Sequence, residues 1–420
     1  MFKFAHMADL HLGANRHPIL EALELEKFNE AIDKCIEERV DFVIISGDIF
    51  HIGIPDMSIV KHCFKKLKEL YDLDIPVYVI FGSHDHNPNS DSIVNILEVT
   101  GLITNVAKPI DAGKGKIGLN FVVDEKTGAK LVGLNARRGG VEQEYFERLD
   151  LKTLEKEKGF KIFCFHAGLS EFKPGHMAAM ETIPISNLPK GFDYYAGGHI
   201  HQRAEESITG YDKIVYPGPI FSGYSRDLEQ TARGENRGFF IVEFDDKVRQ
   251  TKFVKLFESK SLIYKEYDVT GHNSNKANSN LEKEISKLSV EDKIVILKIK
   301  GELSGGKTSD IRTWNYKNIL TGNGAIYVDI NKHGISSKEF EAVKVSGEDV
   351  PAIESKLLRE NIGAVNVSFG ELKGDKGAKL AEQLLKTLRV DIKDEENKSD
   401  YSSRILDQAI TDLKLKEVFS

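Results

Sequence analysis

From residue 1 to about 245, short runs of β-branched and aromatic residues alternate with longer segments of helical period. That alternation dictates βαβ units around a parallel sheet, because parallel neighbours need a connection long enough to hold a helix. Phe2 to His6, Phe42 to Ser46, Val77 to Phe81, Lys161 to Phe165 and Tyr194 to Ala196 read as strands. Between the first two strands, Leu23, Phe28, Ile32, Cys35 and Ile36 recur at helical spacing; Ile59, Val60, Phe64, Leu67 and Leu70 do so after the second.

A chain of 420 residues predicts two or three domains, each able to bury its own core. Its 58 Lys and Arg against 65 Asp and Glu give a net charge of −7, so no global field draws in a polyanion and any nucleic-acid surface must be local. Cys35, Cys63 and Cys164 are too few and too scattered for a disulfide framework and are expected as buried thiols in a reducing compartment. The first strand-like run begins at Phe2, so no signal peptide is expected. Apolar runs such as Phe42 to Ile45 fall far short of the ~20 residues that span a bilayer, and the expected compartment is the cytoplasm, with no membrane partner.

After about residue 255 the texture changes. A polar stretch at Gly271 to Asn280 precedes a helical pattern at Leu281 to Leu288 and strands at Lys293 to Lys300 and Ala325 to Ile330, which predicts a small α+β domain over 256–345 after a first domain of 1–255. Residues 346–420 read as a linker and amphipathic helices: Leu380, Leu384, Leu385 and Leu388 form one stripe, Ile405, Ala409, Ile410 and Leu413 another. Asp391 to Asp400 between them carries five acidic and two basic residues, net 2 − 5 = −3, and reads as a solvated segment.

The chemistry lies at the carboxyl ends of the strands, where α/β sheets place ligand sites. The first strand runs into Asp9-Leu-His11-Leu-Gly13, and the second into Ser46-Gly47-Asp48-Ile49-Phe50-His51. The later strands deliver Phe81-Gly82-Ser83-His84-Asp85-His86, then Phe165-His166, then Gly197-Gly198-His199-Ile200-His201. A lone strand-end His is more often hydrogen-bonded than metal-bound, and an Asp beside Gly is more often a turn residue. Taken jointly, Asp9, His11, Asp48, His166, His199 and His201 are borderline-metal ligands converging on one rim. Six exceed the three that an open single-ion site commonly uses, so two divalent cations are expected, with Asp48 as the bridge, clamping a phosphoryl group for in-line displacement.

Those motifs resemble the DxH, GD, GNHD, H and GHxH pattern of the calcineurin-like metallophosphoesterases. Asp9-Leu-His11-Leu-Gly13, Gly47-Asp48-Ile49-Phe50-His51 and Tyr216-Pro217-Gly218-Pro219 are similar to one branch, the SbcD-type nuclease subunit of double-strand-break repair. The Arg-bearing DRG of the family's protein phosphatases is absent. The resemblance implies a sandwich of mixed β-sheets flanked by helices, a smaller α+β cap that contacts DNA, and C-terminal helices that bind a coiled-coil ABC-type ATPase of the SbcC type. Asp9, His11, Asp48 and His201 would hold one ion, and Asp48, His166 and His199 the other, manganese being the expected metal. Where the family's Asn completes the second site this chain has Ser83, a shorter and weaker ligand. His84 would donate a proton to the leaving group with Asp85 orienting it, and His51 would line the site.

The same resemblance implies a homodimer paired through the helix bearing Ile93, Val94, Ile96 and Leu97. The implied activity is a DNA phosphodiesterase that degrades duplex 3′ ends and cuts single-stranded or hairpin DNA. The alternatives are a small-substrate phosphoesterase and a DNA-end tether with weakened catalysis. His6, His86 and His176 carry no such support, and Arg137, Arg138, Lys173, Arg203 and Arg226 lie on loops from which they could meet phosphates.

Overall fold

Phe42–Ser46 is buried at every position, a pattern that fits a strand covered on both faces. Val77–Ile80, Lys161–His166 and Tyr194–Gly198 share it. The computed structural model describes residues 1–85, 92–136, 142–173, 181–257, 259–338, 354, 358, 374–393, 396 and 398–413, and in it these strands divide between two sheets. The first has the order Val248–Lys255, Gly238–Phe244, Phe2–Met7, Phe42–Ser46, Val77–Ile80, Thr104–Asn105. The second has the order Ala204–Ile208, Tyr211–Tyr216, Tyr194–Gly198, Lys161–His166, Lys130–Leu134, Val122–Val123.

Both sheets are therefore mixed: parallel inside, with antiparallel pairs such as Phe2–Met7 with Gly238–Phe244 and Tyr211–Tyr216 with Ala204–Ile208. The reason is that each central strand has two apolar faces to cover. Phe4, Phe42, Ile44, Ile80, Ile162, Cys164 and Tyr194 pack between the sheets. Ala5, Val43 and Ile45 point the other way, onto Phe28, Ile32, Cys63 and Leu67 of helices Pro18–Glu37 and Met57–Asp72. Pro18 opens the first helix at a position whose missing N–H costs nothing, and the Asp56 side chain caps the second by accepting from Ser58 N at 2.8 Å. The three cysteines are buried free thiols. On helix Ile93–Val99, Val94 and Leu97 are in the chain's own core while Ile96 and Val99 face out.

A third, all-parallel sheet orders Leu262–Asp268, Ile294–Leu303 and Tyr327–Ser337. Helix Ser274–Ile285 begins seven residues before the Leu281 expected from sequence and takes in most of the polar stretch. Asn273 makes this possible by accepting from Lys276 N at 2.9 Å, after which Ala277, Leu281 and Ile285 repeat every four residues against the sheet. The first strand of this sheet and helix Thr313–Gly322 were not foreseen; the latter buries only Tyr316 and Leu320. The opposite sheet face, through Ile294 and Ile296, packs on Leu20, Leu23 and Leu228. By internal contacts, Met1–Ser337 is one compact unit and Lys338–Ser420 another. Within the second, helices Gly374–Leu388 and Lys398–Asp412 pack together, with Thr387 Oγ1 donating to Asp412 at 2.5 Å and Tyr401 OH to Val390 O at 3.0 Å. Among the described residues, no helix is long and apolar enough to cross a membrane.

Between the main sheets, Ser46 Oγ donates to Ala196 O at 3.0 Å, so it accepts from His6 Nε2, also at 3.0 Å, and His6 Nδ1 accepts from the Tyr194 hydroxyl at 2.9 Å. Burial keeps this ring neutral by pushing its pKa down to about 3. A depressed folded-state pKa means that the contribution is whole above the unfolded value of 6.5 and is lost as pH falls from there toward 3. Between pH 7 and pH 5, urea denaturation should therefore show the wild type losing about 2 kcal/mol more than His6→Asn. Parallel losses would mean that His6 titrates freely in the folded chain.

Candidate metal centre

The loops after the central strands converge at one end of the sandwich, and their backbones lock together there. Asp9 N donates to Gly47 O at 3.1 Å, His11 N to Asp48 O at 2.9 Å and Leu12 N to Ile49 O at 3.0 Å. Asp9, His11, Asp48 and His199 all adopt left-handed backbone conformations, with φ of 53°, 46°, 52° and 86°. Such φ values cost a non-glycine residue of order 1 kcal/mol each and persist where surrounding structure imposes them. Gly82 is required for close approach, since a Cβ there would overlap the Asp48 carboxylate.

Asp9, His11, Asp48 and His166 are almost wholly buried. Their mutual geometry follows from what each imidazole does with its other nitrogen. His166 Nδ1 faces the Ser46 carbonyl at 2.8 Å, and a carbonyl only accepts, so Nδ1 carries the proton and Nε2 presents its lone pair. That Nε2 is buried without a hydrogen-bond partner and stands 3.2 Å from Asp48 Oδ2, one acceptor against another. His201 Nδ1 likewise donates to both oxygens of Asp227, at 3.0 and 2.9 Å, which leaves its Nε2 facing His11 Nε2 at 3.1 Å. Asp48 Oδ2 is also 3.6 Å from His11 Nε2, so this oxygen lies between two imidazoles. Lone pairs at these separations repel unless a proton or cation sits among them.

Donor atoms of Asp9, His11 and His201 lie within 4.8 Å of one another, as do those of Asp9, Asp48 and His166. Asp9 is common to both groups. Its carboxylate also accepts the His199 backbone N–H, at 3.0 and 3.2 Å, while the His199 ring stands edge-on to His166 with centroids 5.3 Å apart. Nitrogen and oxygen donors in this mixture suit manganese, zinc or iron, and the orphaned His166 Nε2 is the buried polar atom that such an ion would satisfy.

Electrostatics agree with that fit. Burial drives His11 well down and His199 to about 3, so both are neutral lone-pair donors at pH 7. Burial also raises the Asp9 carboxyl. For His166 burial works against charge, but Asp48 outweighs it and lifts the ring to about 10, while His166 holds Asp48 well down against its own burial. On His201, burial is overcome by the hydrogen bond to Asp227, and the pKa rises. The cluster thus holds protons where divalent charge would replace them.

At the rim, His84 N donates to Asp48 Oδ1 at 2.8 Å and His84 Nδ1 donates to the His51 carbonyl at 2.6 Å, with the His51 and His84 rings stacked at 4.9 Å. Asp85 does not meet the His84 ring in a hydrogen bond: it accepts from Gly82 N at 2.9 Å and Phe50 N at 3.2 Å, bracing the loop, and burial raises it to about 7. The orienting group on His84 is a backbone carbonyl instead. Ser83 is half-buried beside it. Arg203 stacks on Phe253 at 4.4 Å, and Arg226 is exposed. His86, Arg137, Arg138 and His176 lie outside the described residues.

Sequence reasoning missed Tyr224 and Asp227. Both sit where helix Ser225–Ala232 begins, and Asp227 accepts from Gly223 N at 2.8 Å and Tyr224 N at 2.9 Å, so the only signal was an acidic residue in a first helical turn.

Strand-end imidazoles and carboxylates on an α/β sandwich define a centre of the metal-dependent phosphoesterase class. Residues 2–203, just under half of the chain, match the family described as calcineurin-like phosphoesterase. It is 30% identical over 257 residues to the DNA double-strand break repair protein Mre11 of Methanococcus maripaludis, covering 58% of this chain and 64% of that one. It is 29% identical over 255 residues to the protein of the same name from Saccharolobus solfataricus, covering 54% and 62%. The matched region thus spans less than two thirds of either relative. A solved dimetal phosphatase from Danio rerio matches 60% of this chain and 98% of its own at 11% identity and a TM-score of 0.35, too low to argue from.

Replacing the charged acceptor on His201 Nδ1 by a neutral amide should loosen the centre. Asp227→Asn is expected to weaken manganese binding by about 10- to 100-fold with the fold retained, measured by titration calorimetry beside circular dichroism. An unchanged affinity would show that the Asp227 carboxylate does not tune the centre through His201.

Proposed function

We propose that this chain is a metal-dependent DNA phosphodiesterase of double-strand-break repair, acting as an exonuclease on duplex 3′ ends and an endonuclease on single-stranded or hairpin DNA. The observation that carries the reading is the Asp48 carboxylate oxygen set between His11 and His166, whose inward nitrogens want a cation. Asp9, His11, Asp48 and His201 would hold one ion and Asp48, His166 and His199 a second, with Ser83 the weakest donor. Bound there, two divalent ions, manganese by this reading, would supply a nucleophile from water and neutralise phosphoryl charge. His84 hands a proton to the leaving oxygen, with His51 beside it.

The relatives' printed role in DNA double-strand break repair supports DNA over a small ester as substrate. In this reading the first domain is the nuclease, the domain around the three-stranded sheet is the cap that meets DNA, and the C-terminal helices engage an SbcC-type ATPase. Ile96 and Val99 are the side chains available to a second copy, a role that a single-chain mass in light scattering would remove. The cytoplasm is the compartment that goes with repair.

The test is cleavage of a labelled duplex, a hairpin and bis-p-nitrophenyl phosphate with manganese, using wild type, Asp48→Ala and Ser83→Asn. We expect the wild type to cut both DNAs, Asp48→Ala to lose at least about 100-fold on every substrate, and Ser83→Asn to match or exceed wild type. An SbcC-type ATPase should add ATP dependence that a chain lacking 398–413 does not show. Hydrolysis of the small ester alone would assign the chain to small-substrate phosphoesterases, and manganese binding without any hydrolysis would assign it to DNA tethers.

A further inference from the structure

Tyr224 precedes helix Ser225–Ala232 and leans over the mouth of the centre, about half exposed. Its hydroxyl lies 2.8 Å from His84 Nε2. Its ring stands edge-on to His11 and His51, with centroids at 5.5 and 5.7 Å, and tilted over His201 at 5.5 Å. No motif of the family pattern includes it.

His84 Nδ1 is already committed, donating to the His51 carbonyl at 2.6 Å, so Nε2 is the nitrogen His84 can turn to a substrate. A partly exposed imidazole otherwise samples several side-chain rotamers, whereas polar partners on both nitrogens fix the ring. Tyr224 is itself held, because its backbone N–H donates at 2.9 Å to Asp227, the carboxylate that also orients His201. One carboxylate therefore sets both a candidate metal ligand and the residue that touches His84.

We propose that Tyr224 is a positioning residue for His84: its hydroxyl holds Nε2 toward the mouth, at the place that the leaving oxygen of the phosphodiester takes over. This rests on reading His84 as the proton donor. In that step a water oxygen bonds to phosphorus and releases a proton to solvent, while the P–O ester bond breaks with its electron pair passing to the leaving oxygen. That oxygen takes the Nε2 proton of His84, which enters the step as the imidazolium after taking a proton from solvent, in place of the Tyr224 contact, and His84 ends as the neutral Nδ1–H tautomer.

The leaving group provides the test. An alkoxide leaving DNA needs a proton, whereas p-nitrophenolate is stable and leaves without one. With manganese-loaded full-length protein, Tyr224→Phe should lower kcat on DNA about fivefold to tenfold more than on bis-p-nitrophenyl phosphate, the worth of one hydrogen bond, with KM for DNA unmoved. His84→Ala should show the same selectivity with a larger loss, and the double variant should be no slower than His84→Ala. Imidazole nitrogen NMR at alkaline pH should show the Nδ1–H tautomer, held by the His51 carbonyl, in both proteins, with the Nε2 resonance shifted in Tyr224→Phe by loss of the hydroxyl's hydrogen bond. Equal losses on both esters would make Tyr224 merely structural, and wild-type behaviour or losses that multiply with His84→Ala would also overturn the proposal. If His84→Ala itself shows no leaving-group selectivity, the proton-donor reading falls and takes this one with it.

Discussion

Two carboxylates, Asp9 and Asp48, are buried at the end of a β-sandwich, and much of the surrounding structure follows from compensating them. An ionised carboxylate out of water costs several kcal/mol unless charge or hydrogen bonds meet it. Here the compensation is specific. Asp9 receives the His199 backbone amide, Asp48 receives that of His84, and the remaining oxygen faces are turned to imidazole nitrogens. The left-handed backbones at Asp9, His11, Asp48 and His199 and the bare Cα of Gly82 are the conformational cost of bringing loops from two sheets to one point.

Helix Ser225–Ala232 ties this centre to the third sheet. Asp227 turns inward to His201, and the next residue, Leu228, packs on Ile294 and Ile296. Glu229 meets Lys298 at 3.0 Å, and Arg233 just past the helix lies over the Tyr264 ring at 4.9 Å. Adjacent side chains on one short helix thus serve the centre and the small domain. Placement of that domain and orientation of His201 share a mechanical element.

Much of this was legible because the donors sit on strand ends whose sequences are unambiguous. Phe42 to Ile45 is uniformly apolar ahead of Gly47-Asp48, and Lys161–His166 carries its candidate ligand as the last strand residue. What alternation could not say is that the strands divide between two sheets, since a doubly covered strand reads the same with a helix or another sheet above it. The start of helix Ser274–Ile285 was hidden because its first turns are polar and only the Asn273 cap marks them. Asp227 and Tyr224 were hidden for a different reason: neither ligates, and residues that orient ligands through space leave no spacing in sequence. Asp85 was legible as a site residue, but adjacency to His84 suggested a partner where the fold uses a loop brace.

The central claim is that these buried carboxylates and inward-facing imidazoles form one two-ion site with Asp48 shared. Equilibrium dialysis against manganese, counting ions per chain at saturation in the wild type and in Asp48→Asn, tests it most directly. The account predicts two ions in the wild type and weakening of both sites together in the variant. A single ion at saturation, or loss of one site with the other untouched, would contradict it.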